Sequence, residues 1–134
     1  MRLHAELGLG ERAVFAGNRK DLPAIVGQCD VLFVTSAWEG FPNSVLEAMV
    51  LGIPVVSTDY SDIRRILPRE AQVVASRSPR AMAEAIAEAF MDRDAIAAEQ
   101  KRWVRAHASI ETATENLERV YRQYLRPSLL ARAA

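Results

Sequence analysis

Two carboxylates eight positions apart, Glu39 and Glu47, bracket the stretch of this chain with the clearest chemical content. Between and around them run Trp38-Glu39-Gly40-Phe41-Pro42-Asn43-Ser44-Val45-Leu46-Glu47-Ala48-Met49, then Gly52-Ile53-Pro54-Val55-Val56. Carboxylates repel phosphate but accept well from paired hydroxyls, such as those of a ribose or a hexose. The backbone N–H groups that open a helix have no intrahelical partner, and the helix dipole behind them favours an anion. Two acids flanking such an anion site point to a ligand that carries hydroxyls and phosphates together.

The elements that would position these groups follow from local pattern. An apolar strand, Val31-Leu32-Phe33-Val34, leads into the loop. Gly40 permits close approach of a ligand to the backbone, and Pro42 sets the entry angle of a helix that Asn43 or Ser44 can cap. Ser44-x-x-Glu47 also fits a capping box, in which Glu47 bonds back to the Ser44 N–H and needs no ligand. That alternative leaves Glu39 and the Trp-Glu-Gly-Phe-Pro run unexplained.

Further apolar runs at Val14-Phe15-Ala16, Val55-Val56-Ser57 and Val73-Val74-Ala75 read as strands. They are continuous rather than alternating, as in a sheet covered on both faces. Gaps of roughly twenty residues suit crossover helices. Asp21 is placed to cap a helix beginning at Leu22-Pro23; Ser44 to Leu51 forms a second that ends at Gly52; Ser61 to Leu67 forms a short third, stopped by Pro68. The pattern predicts a doubly wound, Rossmann-like parallel α/β sheet. After Ser78-Pro79 it turns helical. Met82, Ala85, Ile86, Ala89 and Phe90 make one apolar stripe, and Leu117, Val120, Tyr121, Tyr124 and Leu125 another, both expected to pack on the sheet. The division is therefore residues 1–78 as an α/β domain that carries the hydroxyl-and-phosphate site, and residues 79–134 as a tail of helices packing on that same domain.

Composition narrows the function classes. The 134 residues carry 17 basic and 17 acidic side chains, a balance that gives no electrostatic case for nucleic acid. The single cysteine, Cys29, excludes an internal disulfide, fits a reducing compartment and is expected to be an inert packing residue. His4 and His107 lie far apart, and no metal-ligand spacing is present. Lys101-Arg102-Trp103 with Arg105 has the composition of a membrane-facing patch, but the flanking Glu99 and Glu111 favour a solvated helix face.

The residues from Glu39 to Glu47 resemble the E-x7-E signature of GT-B, family 4 type retaining glycosyltransferases. The flanks agree: Cys29-Asp30-Val31 before the strand, Ser36 after it, Glu47-Ala48-Met49, and Gly52-Ile53-Pro54-Val55-Val56. Upstream, Leu9-Gly10-Glu11-Arg12-Ala13-Val14-Phe15-Ala16-Gly17 is similar to the third strand of the family's C-terminal domain and its entry. Downstream, Ser109-Ile110-Glu111 and then Tyr121 resemble the closing helix.

The resemblance implies the C-terminal, donor-binding half of a GT-B enzyme, truncated at its N-terminal side. In the family's strand order, 3-2-1-4-5-6, the absent strands lie between the one at Val14 and the one at Val31. Absent with them are a Gly-rich turn, the basic pair that holds the donor diphosphate, and the N-terminal acceptor domain. Arg64 and Arg65 fall in the wrong place to replace that pair. The glycine turn before the last strand is replaced by Leu67-Pro68-Arg69-Glu70-Ala71.

The implied activity is transfer of a sugar, with retention, from a nucleoside diphosphate sugar to a hydroxyl acceptor, saccharide or lipid-linked. Glu39 would be the catalytic residue, against the hydroxyls of the transferred sugar. Backbone N–H groups of Gly40, Phe41, Pro42's neighbours Asn43 and Ser44, and Val45 would face sugar and diphosphate. Glu47 would accept from the ribose, and Gly17 and Asn18, with Arg19 and Lys20 solvated, would lie over the nucleobase. No cofactor or metal is implied beyond the donor substrate. Expected location is cytoplasmic, with the inner face of a membrane as the alternative. The competing readings are a nucleotide-sugar-binding fragment without transfer activity and a GT-B-type sugar-nucleotide epimerase. The chain alone is expected to be inactive, because a GT-B site closes between two domains.

Overall fold

The computed structural model describes residues 2–76 and 78–124. Three parallel strands form one sheet: β1 (Leu32–Val34), β2 (Val55–Thr58) and β3 (Val73–Val74), in the spatial order β1-β2-β3. Leu32 pairs with Val55, Phe33 with Val56 and Val34 with Ser57; Ser57 and Thr58 then pair with Val73 and Val74. The helices are α1 (Arg2–Glu6), α2 (Leu22–Val26), α3 (Asn43–Leu51), α4 (Ile63–Ile66), α5 (Pro79–Met91), α6 (Arg93–His107) and α7 (Ile110–Tyr124). This is the parallel α/β fold expected, with its three later strands in the expected order.

Period-two alternation along the strands divides the core into two layers. Val55 and Val73 face one side, with Val45, Ala48 and Met49 of α3 and Ile63, Ile66 and Leu67 around α4. Val56 and Val74 face the other, with Ala89 of α5, Ile96 of α6 and the half-buried Phe33, Met82, Ala85 and Ile86. All four residues of β2 are buried. Helix α6 passes beneath the amino ends of the strands, so Ile96 joins one layer while Trp103 and Val104 pack on the other.

At that crossing two buried glutamines meet the backbone. Gln72 donates from Nε2 to the Val55 carbonyl at 2.7 Å. In the amide orientation that satisfies its neighbours, Gln100 donates to Ile53 O at 3.1 Å and accepts from Gln72 Nε2 at 2.8 Å and Val55 N at 3.1 Å. Such buried amides are stable only when every polar atom has a partner. Nearby, Arg69 grips the carboxylate of Glu99 through Nε (2.7 Å) and Nη2 (2.8 Å) and also bonds Asp92, joining the loop after α4 to the α5–α6 turn. Helix α3 stops at Gly52, whose φ of +81° suits glycine, and a Cβ there would lie 2.5 Å from Lys101 Cε of α6.

Several expectations are corrected. Residues 13–16 form no strand: Val14 and Phe15 are 83% and 63% exposed, because an extended apolar segment becomes a strand only when a ladder partner satisfies it. Instead His4 Nε2 reaches the carbonyls of Gly10 (3.0 Å) and Ala13 (3.2 Å), folding this segment on α1. Asp21 precedes α2 but makes no side-chain cap, since Arg19 holds its carboxylate at 2.7 and 2.8 Å. The α4 helix begins at Ile63 rather than Ser61. Cys29 is exposed, with Sγ directed to the Ile25 carbonyl at 3.4 Å, and is not a packing residue. On α5 Met82, Ala85, Ile86 and Ala89 pack as expected but Phe90 is exposed, while on α7 Leu117, Val120, Tyr121 and Tyr124 are exposed, and Leu125 lies outside the described residues. Trp103 packs on the core and stacks on His107 with centroids 4.8 Å apart, so it offers no membrane-facing patch.

Two measurements test this assembly. Changing Gln72 to Leu strands the Val55 carbonyl in the core and is expected to cost about 1–3 kcal/mol of stability in urea titrations. The Arg69 hydrogen bond holds the Glu99 carboxyl below its ordinary range. A depressed acid stabilises the fold above its unfolded pKa, about 4.3, and that contribution is lost as pH falls through the lower folded value. Glu99→Gln is therefore expected to flatten the decline in stability between about pH 5 and about pH 3, read by denaturation at stepped pH.

Candidate functional site

The loop from Thr35 to Pro42 leaves β1 at the carboxyl end of the sheet, where open parallel sheets bind ligands. Glu39 is fixed there at both ends. Ser36 Oγ donates to Glu39 Oε1 at 2.6 Å, and Ser61 Oγ donates to the Glu39 carbonyl at 2.8 Å. The Ser36 backbone is itself held, because Thr58 Oγ1, from the last residue of β2, donates to its carbonyl at 2.6 Å. The order of these contacts is β2 to Ser36 to the carboxylate. Ser36 engages one carboxylate oxygen, and no protein donor engages Oε2 among the described residues.

The helix start behaves differently from the capping patterns expected. Pro42, buried, occupies the N-cap position without a side-chain cap, and its carbonyl accepts from Val45 N (3.0 Å) and Leu46 N (3.3 Å). Neither Asn43 nor Ser44 caps α3, and the Ser44–Glu47 capping box is not formed, because the helix begins two residues too early for Ser44 to occupy the cap. Asn43 N bonds Phe41 O at 3.0 Å. The amides of Gly40, Phe41 and Ser44 have no hydrogen-bond partner among the described residues. Trp38 and Phe41 flank this segment with exposed rings.

Of the candidate residues, Glu39, Gly40, Phe41, Pro42, Asn43, Ser44 and Val45 are contiguous at this helix start, with Val45 wholly buried beneath it. Glu47 is exposed on α3 and lines a hollow of about 340 Å³ with Asn43, Leu46, Val50, Pro23 and Val104. Ser36 lines a different one, of about 140 Å³, with Thr35, Thr58, Asp59, Val74 and Met82. Gly17 and Asn18 are exposed in the turn before α2, Gly17 with φ +65°.

A family model described as glycosyl transferases group 1 matches residues 1–92. The chain belongs to that family. Over 92 residues it is 34% identical to the lipopolysaccharide core biosynthesis mannosyltransferase LpsB of Rhizobium meliloti (strain 1021), covering 66% of this chain and 26% of that protein. Over 56 residues it is 37% identical to the UDP-Gal:alpha-D-GlcNAc-diphosphoundecaprenol alpha-1,3-galactosyltransferase of Escherichia coli, covering 42% of this chain and 14% of that one. Its fold is similar to sucrose-phosphate synthase (tll1590) from Thermosynechococcus elongatus, with a TM-score of 0.78 and 26% identity, over 91% of this chain and 32% of that one. The chain thus spans about a quarter of LpsB and a third of the synthase. It carries the GT-B type of α/β fold, and no helix among the described residues is long and apolar enough to cross a membrane.

Three side chains of this group 1 glycosyltransferase chain that sequence patterns did not single out for a role support the Glu39 loop: Ser36, Thr58 and Ser61. The Ser36-x-x-Glu39 spacing is the one available local signal. Ser61 is the sole non-glycine residue with positive φ (42°) among the described residues, a conformation that costs roughly 1–3 kcal/mol. Arg64 and Arg65 are both engaged, with Asp59 at 3.0 Å and Asp62 at 3.2 Å. Tyr60 is 5% exposed. Burial pushes its phenol up, the nearby Ser57 hydroxyl opposes that, and the Glu39 carboxylate adds to the rise. Ser57 Oγ donates to the Thr58 carbonyl at 2.9 Å, and among the described residues Tyr60 Oη has no partner that meets hydrogen-bond geometry. A buried hydroxyl without a partner is a net cost. Tyr60→Phe is accordingly expected to raise stability by about 1 kcal/mol, measured as an upward shift in the urea midpoint at unchanged slope.

Proposed function

We propose that this chain supplies the donor side of a retaining glycosyl transfer, from a nucleoside diphosphate sugar to a hydroxyl of a saccharide or lipid-linked acceptor. The observation that carries the reading is the contrast at one helix start. A carboxylate with one oxygen tied down and the other open stands beside the unpaired amides of Gly40, Phe41 and Ser44. Hydroxyls and phosphate are the groups that complement those two features. The names of the relatives, a mannosyltransferase and a galactosyltransferase that uses UDP-Gal, support the same class of donor.

In this reading Glu39 Oε2 accepts from a hydroxyl of the transferred sugar near the reacting carbon. The amides from Gly40 to Val45 that remain free, with the dipole of the nine-residue α3 behind them, stabilise charge that grows on the leaving diphosphate. Glu47 accepts from the ribose hydroxyls, and the backbone at Gly17 and Asn18 borders the nucleobase. The reading calls for no metal or cofactor. Arg64 and Arg65 are engaged by Asp59 and Asp62, so the reading assigns no basic pair to the diphosphate, and transfer by residues 1–134 alone is not expected.

The test separates the two acids in the full-length protein that carries this sequence. Glu47→Ala is expected to weaken binding of UDP- or GDP-sugars by about 1–3 kcal/mol, read by calorimetric titration. Glu39→Ala is expected to leave donor affinity within a few-fold of the parent while lowering turnover by about 10²–10³. Equal turnover in the Glu39→Ala variant and its parent would remove the assignment.

A further inference from the structure

We infer that Ser61 is a positioning residue for Glu39, acting through its hydroxyl and held for that purpose in an unfavourable backbone conformation. The inference rests on the proposed role of Glu39. Three observations converge on it. Ser61 sits at φ +42°, where a side chain crowds the backbone and glycine is the low-energy choice. Its hydroxyl donates to the Glu39 carbonyl at 2.8 Å, across from the turn that follows β2 to the loop that follows β1. The segment around Ser61 is anchored on both sides, by Tyr60 in the core before it and Ile63 in the core after it.

The geometry explains why a strained serine stands where a glycine would be easier. Ser36 fixes only Oε1 of the carboxylate. A carboxylate held at one oxygen can still swing if its backbone shifts. Fixing the Glu39 carbonyl through Ser61 removes that freedom, so the two hydroxyls, one on the side chain and one on the backbone, define where Oε2 points. Thr58 completes the frame by holding Ser36 from β2. Glycine at position 61 would relax φ and leave the Glu39 carbonyl without its donor. Alanine would keep the strain and also lose the donor. Stability and positioning are therefore separable at this one residue.

The experiment compares Ser61→Gly, Ser61→Ala and Glu39→Ala with the parent in the full-length protein. Three quantities are read: thermal midpoint, NMR amide order parameters over residues 36–41, and nucleotide release from UDP-galactose and GDP-mannose. The two serine variants are expected to move apart in midpoint, glycine at or above the parent and alanine below it. Both are expected to lose turnover alike, by about tenfold to a hundredfold, with donor KM within a few-fold of the parent. Both are expected to show lower amide order parameters over residues 36–41 than the parent, with α5 unchanged. Parent-like turnover or parent-like order parameters over 36–41 in Ser61→Gly would overturn the inference, since a purely conformational role for Ser61 is satisfied by glycine. If Glu39→Ala itself turns over like the parent, the reading of Glu39 fails, and the positioning role fails with it. The order parameters need no donor, so they decide the contact even where neither sugar nucleotide is a substrate.

Discussion

The demand made by β2 organises the chain. All four of its residues are buried, and it is paired on both edges, so no part of this strand can meet water. Apolar cover comes from α3 and α4 on one face and α5 on the other. That leaves its ends, where a buried strand must surrender or satisfy its polar groups. At the amino end, Gln72 and Gln100 provide amide partners for the Ile53 and Val55 backbone, and this requires α6 to pass directly beneath the sheet. At the carboxyl end, Thr58 turns its hydroxyl to the Ser36 carbonyl. The same strand that is sealed by helix below is tied by hydroxyls to the Glu39 loop above. Site geometry is therefore a by-product of how this strand is terminated.

What could be read in the sequence follows from what each signal depends on. Continuous apolar runs at Leu32, Val55 and Val73 announce a parallel sheet because they need no partner of particular sequence, only cover on two faces. The run at Val14-Phe15 carries the same signal, yet it has no ladder neighbour and lies exposed. Periodicity reports what a segment can bury, not whether a neighbour is there to bury it. The α7 stripe repeats the lesson: Leu117, Val120, Tyr121 and Tyr124 have the spacing of a packed face and do not pack on the sheet. Gln72 and Gln100 give no local signal at all, since a glutamine beside a turn or in a helical stretch reads as surface until its distant partner is known.

At the candidate site the acids and the loop glycine were legible, whereas the support beneath them was not. Glu39 and Glu47 are noticeable because carboxylates beside apolar sequence are conspicuous. Ser36, Thr58 and Ser61 are common residues whose roles emerge only once β1 and β2 lie side by side. The positive φ of Ser61 is the hardest to foresee, because the usual signal for that conformation is glycine or asparagine. The failed cap at Ser44 has a simpler cause. Pro42, buried against the core, sets where α3 begins, and that start leaves neither Asn43 nor Ser44 in the N-cap position.

Rigidity is distributed unevenly across the proposed donor site. Glu39 is triangulated by hydroxyls from the ends of β1 and β2, and α3 behind it is locked into the core through Val45, Ala48 and Met49. The turn at Gly17 and Asn18 is exposed, on a segment that folds back on α1 through His4. In the proposed donor complex, a ligand spanning both would meet a preformed end at Glu39 and an exposed end at this turn. Ordering the exposed end would consume binding energy from the nucleotide, whereas the end at Glu39 would contribute without reorganisation. That division suits group transfer: interactions that are preorganised where charge develops lower the barrier, and remote binding energy meets the cost of assembling the rest.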